Sequence, residues 1–307
     1  MKQLNGRTRT IIAMAAIVIS TGFAADAPLR APRYRYVQLN VPGSRRHTTV
    51  PTGINNNNVI VGYYTGLIGC CVLTLGFSYD IQSGIYTAPI KDPSQPFGNT
   101  MPFSINDSGT IVGEIAGQGD FGFIDQAGSF TDVNTCGGNL PDSWITGMNN
   151  NLRTIGSCYN YQAWFNDLFG AQFFTCPSSG ANTFATAINN NEQVVGYSQY
   201  PSIDYTGFVS SYGTCQTVGI NYPGAASTML TGINDSGTAI GWTSYAKNSS
   251  EGFAMLYDIS NGNMTPLIGP KGASEVSTGQ INNNGWFVGT YYDSENHLHG
   301  FYAEPAK

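Results

Sequence analysis

Charged residues are scarce in this chain of 307 residues. Asp, Glu, Lys and Arg make up only 10% of it, against about 25% in an average globular protein. The net charge is −6 and the pI is near 4.9, so the chain lacks the basic surface that binds nucleic-acid phosphates. We therefore expect no nucleic-acid partner. Glycine (38 residues) and aromatic residues (12%) are abundant instead, which favours short strands joined by tight turns over disorder.

Histidine is also rare, with three residues in the chain, and no G-x-S-x-G or C-x-x-C motif occurs. The chain therefore has few candidate residues for a Ser-His-Asp triad or for a zinc site, and we expect no cofactor. His297 and His299, which share one side of an extended segment, are the candidates for a metal site. The alternative, which we favour, is that no metal binds there.

Long apolar runs are absent apart from one stretch near the N-terminus. Lys2, Arg7 and Arg9 precede an apolar run of about 15 residues, shorter than the roughly 20 that a membrane span needs. Gly22-Phe23-Ala24 fits a signal-peptidase cleavage site. Residues 1–24 are therefore interpreted as a signal peptide, and residues 25–307 as one exported domain. We expect the periplasm, the cell surface or the medium as its location, and no membrane span in the mature chain.

An even number of cysteines in an exported chain predicts disulfides. Six cysteines allow 15 pairings, and the sequence does not select one of them. Two of the cysteines are adjacent, so that they either reach different partners or join each other. The cysteines are Cys70, Cys71, Cys136, Cys158, Cys176 and Cys215.

A short motif occurs six times, and this repeat defines the fold. In each copy an Asn precedes a Gly by seven residues, as in Gly53-Ile54-Asn55 to Gly62. The Asn begins a hairpin turn, and the Gly lies in the second strand, where we expect an aromatic ring of a neighbouring repeat to approach it. Leu152 and Glu192 occupy a turn position that Gly or Asn fills elsewhere, so their turns should differ or be strained. The repeat cores span 53–64, 104–114, 147–157, 187–197, 232–242 and 280–291.

Each copy continues with a small residue followed by an aromatic, such as Gly76-Phe77, and then with a further turn and a β-rich run. Four antiparallel strands in each copy correspond to one propeller blade. The sequence thus predicts an all-β, six-bladed β-propeller. The last copy lacks a fourth strand, and the segment from Tyr34 to Gly43 resembles one, so we expect the N-terminal strand to complete the last blade.

The motif G-I-N-[ND]-x-G-x-[IV]-V-G-[YW], followed by G-F, resembles the bacterial extracellular HAF-repeat family over about residues 33–303. His299-Gly300-Phe301 is the nearest match to the His-Ala-Phe of the family name. This resemblance implies a propeller fold and an exported location. It implies no catalytic residues.

Variable loops on a rigid ring are where binding sites usually lie, and the second strands end on the face that carries these loops. Aromatic side chains at those ends suit stacking on a ligand such as a sugar. The alternative is that they only pack the blades together. Glu114, on the same face, is the candidate for a catalytic acid. The ligand-binding candidates are Tyr63, Tyr64, Tyr197, Trp242 and Tyr291.

Three functions fit these observations. We favour a monomeric, non-catalytic binding or scaffold module with an unknown ligand or protein partner. A carbohydrate-active enzyme would need two carboxylates roughly 5–10 Å apart. A structural component of a surface assembly would need an exposed apolar patch of several hundred Å².

Overall fold

The computed structural model describes residues 32–117, 120–136, 143–158, 162–167, 170–176, 182–199, 204–245 and 252–306. The predicted signal peptide, residues 1–24, lies outside this part of the chain. The described residues form 24 β-strands and no helix, which confirms the all-β prediction. Within them, no helix is long and apolar enough to cross a membrane.

The strands are grouped into antiparallel meanders, one for each copy of the repeat, which we number as modules 1 to 6. Module 1 contains β2 (Val50–Ile54), β3 (Val59–Ile68), β4 (Cys71–Asp80) and β5 (Ile85–Ile90). Module 2 contains β6 (Asn99–Ile105), β7 (Ile111–Ala116), β8 (Phe121–Gln126) and β9 (Ser129–Val133), and module 3 contains β10 (Ser143–Met148), β11 (Thr154–Cys158), β12 (Ala163–Asp167) and β13 (Gly170–Phe174). Module 4 contains β14 (Asn182–Ile188), β15 (Gln193–Gln199), β16 (Thr206–Ser211) and β17 (Thr214–Ile220), and module 5 contains β18 (Ser227–Ile233), β19 (Thr238–Ser244), β20 (Gly252–Asp258) and β21 (Met264–Pro266). Module 6 contains β22 (Glu275–Ile281), β23 (Phe287–Tyr292), β24 (Leu298–Pro305) and the N-terminal β1 (Tyr34–Leu39).

The N-terminal strand lies in the same sheet as the last three strands, in the order β1-β24-β23-β22. It pairs antiparallel with β24 from Tyr34 opposite Pro305 to Leu39 opposite Gly300. Hydrogen bonding divides all the strands into five sheets, because modules 2 and 3 share one sheet of eight strands. Their connection is a single parallel pair, Ser143 opposite Phe121.

Neighbouring modules pack in cyclic order. The second strand of each module contacts the first strand of the next, and β23 of module 6 contacts β2 of module 1. The buried apolar residues form six clusters, and each cluster joins two adjacent modules. One cluster, for example, contains Ile60 and Phe77 of module 1 together with Val288 and Tyr302 of module 6. The core therefore lies between modules, as expected for a repeat that cannot bury its apolar faces alone.

The glycine of each second strand lies against its own module, which corrects the expectation that a neighbouring repeat supplies the ring. Gly62 pairs directly with Phe77 of the adjacent strand, and a Cβ at Gly62 would lie 2.9 Å from Cε1 of that ring. The same Cβ would also strike the carbonyl oxygen of Val50, which a β-bulge after Pro51 turns toward it. In module 5 the partner of Gly241 is Met255 rather than Phe253, so the small-aromatic pair is out of register there.

The six hairpin turns adopt one conformation, because the third residue after each motif Asn has a positive φ. Glycine or asparagine accepts this conformation readily, but Leu152 and Glu192 adopt it as well, each with φ near 60°. Of the two alternatives that the sequence left open, a different turn is therefore wrong, and these two residues are strained. The six residues are Asn58, Gly109, Leu152, Glu192, Gly237 and Gly285.

Two disulfides join neighbouring modules, which confirms the prediction of disulfides for four of the cysteines. Cys136–Cys158 connects the segment after β9 to β11, and Cys176–Cys215 connects the segment after β13 to β17. Cys70 and Cys71 are not disulfide-bonded.

Candidate functional site

A ring of buried asparagines surrounds one end of a central channel. In each motif Asn, the side-chain oxygen accepts hydrogen bonds within its own turn, as Asn55 does from the amides of Asn57 and Val59. The side-chain nitrogen reaches the next module, where Asn55 donates to the carbonyl of Asn106 at 3.0 Å. Asn282 returns the chain of bonds to Asn55 at 2.9 Å. This asparagine ring comprises Asn55, Asn106, Asn149, Asn189, Asn234 and Asn282, all of which are buried.

A second ring follows from the next residue of each turn. The backbone N–H of each residue donates to the side-chain oxygen of its counterpart in the next module at 2.8 to 2.9 Å. Two of the six residues are aspartates on opposite sides of the ring, and each accepts the amide groups of the asparagines on both sides. Hydrogen bonds between neighbouring modules thus run all the way around the turn end of the channel. This amide–carboxylate ring comprises Asn56, Asp107, Asn150, Asn190, Asp235 and Asn283.

The contact between modules 2 and 3 departs from this pattern. Asn106 is buried, but its side-chain nitrogen has no hydrogen-bond partner, whereas the other five motif asparagines each donate to the next module. A second inter-module hydrogen bond, made from the β-bulge in the first strand of a module, is also missing at this contact. Thr146 of module 3, for example, donates to the carbonyl of Ala185 in the next module at 2.7 Å. Thr52, Thr186 and Thr231 make equivalent bonds, whereas module 2 has Phe103 and module 6 has Gly279 at this position.

A cavity of about 250 Å³ lies at the other end of the channel, beside this irregular contact. Phe103 and Glu114 of module 2 face it together with Trp144 of module 3. All three side chains are partly exposed. We call this cavity the channel mouth; it is lined by Thr52, Phe103, Glu114, Trp144, Thr146, Thr186, Thr231 and Gln280.

Gln280 forms the floor of the channel mouth and separates it from the turn end, since it lines the cavities on both sides. Its side-chain oxygen accepts a hydrogen bond from the hydroxyl of Ser104, in module 2, at 3.2 Å. At the same repeat position the other modules have Gly, Ser or Ala, which are too small to cross the channel. Gln280 is therefore the longest side chain at this level of the channel.

The environment of Glu114 includes a tyrosine from module 1. Burial raises the pKa of Tyr63, and the negative charge of Glu114 raises that pKa further. The hydroxyl of Tyr63 consequently stays protonated and able to donate a hydrogen bond at neutral pH. The channel mouth thus combines aromatic surface with a carboxylate, as in a site for a polar, partly apolar ligand.

The structure distributes the predicted site residues over three environments. Tyr197 is partly exposed and stacks on Phe184, with ring centroids 5.0 Å apart, and Trp242 occupies the equivalent position opposite Met229. Tyr64 is only 6% exposed and packs on Phe77 in the core. It is therefore excluded from the candidate site.

Tyr291 lies apart from the channel mouth, in a cluster that contains all three histidines. Its ring stacks on His299 at 4.9 Å, and His47 stacks on His297 at 4.2 Å. Both ring nitrogens of His299 are engaged, one with Asp293 and one with Gln38, each at 2.8 Å. Within the described residues, no group of three or more His, Cys, Asp or Glu side chains is arranged to hold a metal ion.

Phe103, Trp144 and Gln280 were not identified from the sequence, although the repeat contained the signal. Phe103 stands where four modules have Thr and module 6 has Gly279, and Gln280 stands at a position where the other modules have small residues. Trp144 has an aromatic counterpart in Phe184, and what differs is the residue opposite it: Ser157 stands where modules 1, 2, 4 and 5 have Tyr63, Glu114, Tyr197 and Trp242. Comparison of the six copies column by column would have identified these exceptions.

Neither a protein-family model nor a curated protein sequence matches this chain. Solved structures resemble it at low identity. The gluconolactonase XC5397 of Xanthomonas campestris is 11% identical with a TM-score of 0.54, and the match covers 90% of this chain and 91% of that one. The SapL1 lectin, solved with alpha methyl fucoside, is 12% identical with a TM-score of 0.52 over 85% and 94% of the two chains. The Dos1 propeller is 12% identical with a TM-score of 0.43 over 90% and 76%. The four-stranded meanders and the likenesses to XC5397 and the SapL1 lectin identify the fold as a β-propeller.

Proposed function

We propose that this chain is an exported, six-bladed β-propeller that binds carbohydrate at its channel mouth. Six motif copies support the blade count, as do the hydrogen bonds that lead from Asn56 around the amide–carboxylate ring and back to Asn56. In this proposal β1 completes the sixth blade. The two disulfides are typical of oxidising, extracytoplasmic compartments, which supports export. The repeat motif itself supports membership of the extracellular HAF-repeat family.

The observation that carries the binding function is the convergence of Phe103, Glu114 and Trp144 where the repeat pattern breaks. In four of the six modules a first-strand threonine donates its hydroxyl to a carbonyl of the next module. The break between modules 2 and 3 therefore gives up inter-module hydrogen bonds and exposes aromatic surface. Departures from a structural rule are expected at functional sites.

The chemistry of the channel mouth fits a neutral sugar. The faces of Trp144 and Phe103 can stack on the C–H surface of a pyranose ring, and the Glu114 carboxylate can accept hydrogen bonds from its hydroxyl groups. The Gln280 amide at the floor offers a further donor and fixes the depth to which a ring can enter. The SapL1 lectin provides a precedent for sugar binding by a similar fold.

Binding fits this site better than glycoside hydrolysis does. Hydrolysis by the usual route requires two carboxylates roughly 5–10 Å apart across the scissile bond. Among the described residues that line the channel mouth, Glu114 is the single acid. Its role here is that of a hydrogen-bond acceptor.

The test is a calorimetric titration of the mature protein with a panel of neutral mono- and disaccharides, with tryptophan fluorescence as a second readout. We expect one or more sugars to bind, and Trp144→Ala and Glu114→Gln to weaken binding by roughly tenfold or more. Trp242→Ala is the matched control because Trp242 does not line the cavity. The affinity of this variant for the sugar should stay within about twofold of that of the wild type.

Two results would contradict the proposal. One is the absence of binding to any sugar in the panel, and the other is an equal loss of affinity in Trp144→Ala and Trp242→Ala. Sugar turnover that Glu114→Ala abolishes would instead support the carbohydrate-active enzyme.

A further inference from the structure

The second hairpin of module 1 extends well beyond its counterparts and carries the two unpaired cysteines at its tip. Strands β3 and β4 pair without interruption from Val59 opposite Asp80 to Ile68 opposite Cys71. The equivalent strands of module 2 pair only from Ile111 opposite Asp125 to Ile115 opposite Phe121. The extra length places Gly69 and Cys70 as a two-residue turn, with Gly69 at a φ of 60°.

The two thiols differ in environment. Cys70 is exposed, whereas Cys71 is partly buried and packs against the core cluster shared by modules 6 and 1. Their Sγ atoms lie 3.0 Å apart, closer than unbonded sulfur atoms normally approach. The hydrogen bond with Cys70 raises the pKa of the Cys71 thiol, which disfavours its thiolate, the reactive species. Because Cys70 is the more exposed of the two, its sulfur is the one that a partner reaches first.

The surroundings favour reaction with another protein. Leu67 is 67% exposed and Val72 50% exposed on the same tip, so an apolar surface flanks the accessible sulfur. The other four cysteines are disulfide-bonded. Because disulfides form in oxidising compartments, this chain shares its compartment with other proteins that carry disulfides.

We propose that Cys70 and Cys71 form a thiol–disulfide exchange site. It acts on an accessible disulfide, either in a second protein or in a small molecule such as oxidised glutathione. The Cys70 thiolate attacks one sulfur of that disulfide, so that a mixed disulfide forms and the other sulfur leaves as a thiolate. The Cys71 thiolate then attacks Sγ of Cys70 and releases the second sulfur. The partner gains two electrons, the two cysteine protons pass to solvent or to the released thiolates, and a vicinal Cys70–Cys71 disulfide remains.

A vicinal disulfide suits exchange rather than permanent cross-linking. Adjacent Cα atoms are about 3.8 Å apart, below the roughly 4.4 Å at which unstrained disulfides begin. Strained and exposed disulfides are more easily reduced than buried structural ones. The Cys70–Cys71 disulfide should therefore be reduced at about one tenth, or less, of the reductant concentration that reduces Cys136–Cys158 or Cys176–Cys215. This site is independent of the sugar site, because neither cysteine lines the channel mouth.

The test uses the mature protein, mildly reduced so that its two structural disulfides stay intact, and then equilibrated in glutathione redox buffers. Alkylation and intact-mass measurement should show that Cys70 and Cys71 become unreactive together, with a loss of two hydrogens and no added glutathione. Pulsed alkylation of the reduced protein should label Cys70 before Cys71. In Cys71→Ser the reaction should stop at the first step, and the mixed disulfide of Cys70 with glutathione should accumulate.

Three outcomes would overturn the proposal. They are independent glutathionylation of both thiols in the wild type, persistence of two free thiols in buffers that glutathionylate Cys71→Ser, and linkage of either residue to one of the other cysteines. Cys71→Ser nearly keeps the size of a partly buried side chain, so its unfolding temperature should stay near that of the wild type. Measured in parallel, this temperature separates a chemical effect from a folding defect.

Discussion

The backbone N–H of Asn283 donates to the side-chain oxygen of Asn56 at 2.8 Å, although the two residues lie 227 positions apart. One residue earlier, Asn282 donates to the carbonyl of Asn55 at 2.9 Å. The last repeat is thus joined to the first by the same two bonds that join other neighbours. A side chain that stabilises its own turn and also reaches the next turn makes the local fold and the ring depend on each other.

Replacement of a motif Asn by Asp should separate these two roles. In Asn282→Asp the oxygen that accepts the amides of Asn284 and Trp286 is kept. The side-chain nitrogen that donates to Asn55 and Asn58 is lost. Asn106→Asp is the matched control because the side-chain nitrogen of Asn106 has no partner to lose. The free energy of unfolding should fall by about 1–3 kcal/mol more in Asn282→Asp than in Asn106→Asp. Denaturant unfolding monitored by tryptophan fluorescence measures the difference, and equal losses would contradict it.

The sequence predicted what depends on local chemistry and repetition. Each turn is specified by an Asn that caps its own backbone and by a residue three positions later that takes a positive φ, and both are visible within one copy. The pairing of Tyr34–Leu39 with β24 followed from the likeness of one segment to the missing strand. These features need no knowledge of what lies across the channel.

What the sequence did not predict depends on contacts between copies. Tyr63 and Tyr64 were treated alike, but successive residues of a strand point to opposite faces, so Tyr63 lies near Glu114 while Tyr64 enters the core. Phe103 and Trp144 belong to different repeats and meet only because modules 2 and 3 pack side by side. The β-bulge that turns a carbonyl onto Gly62 is equally invisible in the motif, since it is a property of strand pairing.

Relief of backbone strain at position 152 should stabilise the protein. Leu152 is 56% exposed and has a φ of 60°, and asparagine tolerates this conformation better, as Asn58 shows at the equivalent position. Leu152→Asn should raise the free energy of unfolding by about 0.5–1 kcal/mol. Glu192→Asn relieves similar strain but removes an ion pair with Arg153, whose Nε lies 3.4 Å from a carboxylate oxygen. Its gain should be smaller, and a larger gain than that of Leu152→Asn would contradict this account.

The Asp293 carboxylate should titrate differently when its histidine partner is removed. The hydrogen bond from His299 is the main cause that lowers the pKa of Asp293, and the amides of His297 and Glu295 contribute as well. His299→Phe keeps a ring against Tyr291 but removes that bond, so the pKa of Asp293 should rise while staying below its usual value. The pKa of Asp80 is lowered mainly by the amide of Gln82, and it should not change.

The pH dependence of stability follows from the sign of this shift. Since folding lowers the pKa of Asp293 below the usual value of about 3.9, its ionised form stabilises the fold above that pH, and this contribution is lost as the pH falls through the folded pKa. In His299→Phe the contribution should be smaller and should disappear at a higher pH. Carboxyl carbon chemical shifts, followed by NMR during acid titration, measure both aspartates. An unchanged Asp293 curve would show that His299 does not control it.

Removal of the structural disulfides should cost stability according to the length of chain that each one closes. The bonded residues are 22 positions apart in Cys136–Cys158 and 39 apart in Cys176–Cys215. Loop-closure entropy predicts losses of about 3 kcal/mol and about 4 kcal/mol when each pair is replaced by alanine. Cys176 and Cys158 are buried, so small cavities should add to both losses. The double replacement of Cys70 and Cys71 by serine breaks no disulfide and nearly keeps the side-chain sizes, so it should lower the free energy of unfolding by about 1 kcal/mol or less. Calorimetric unfolding of the three double variants provides the comparison, and a tip variant as unstable as the other two would show that the hairpin, rather than the inter-module bridges, limits stability.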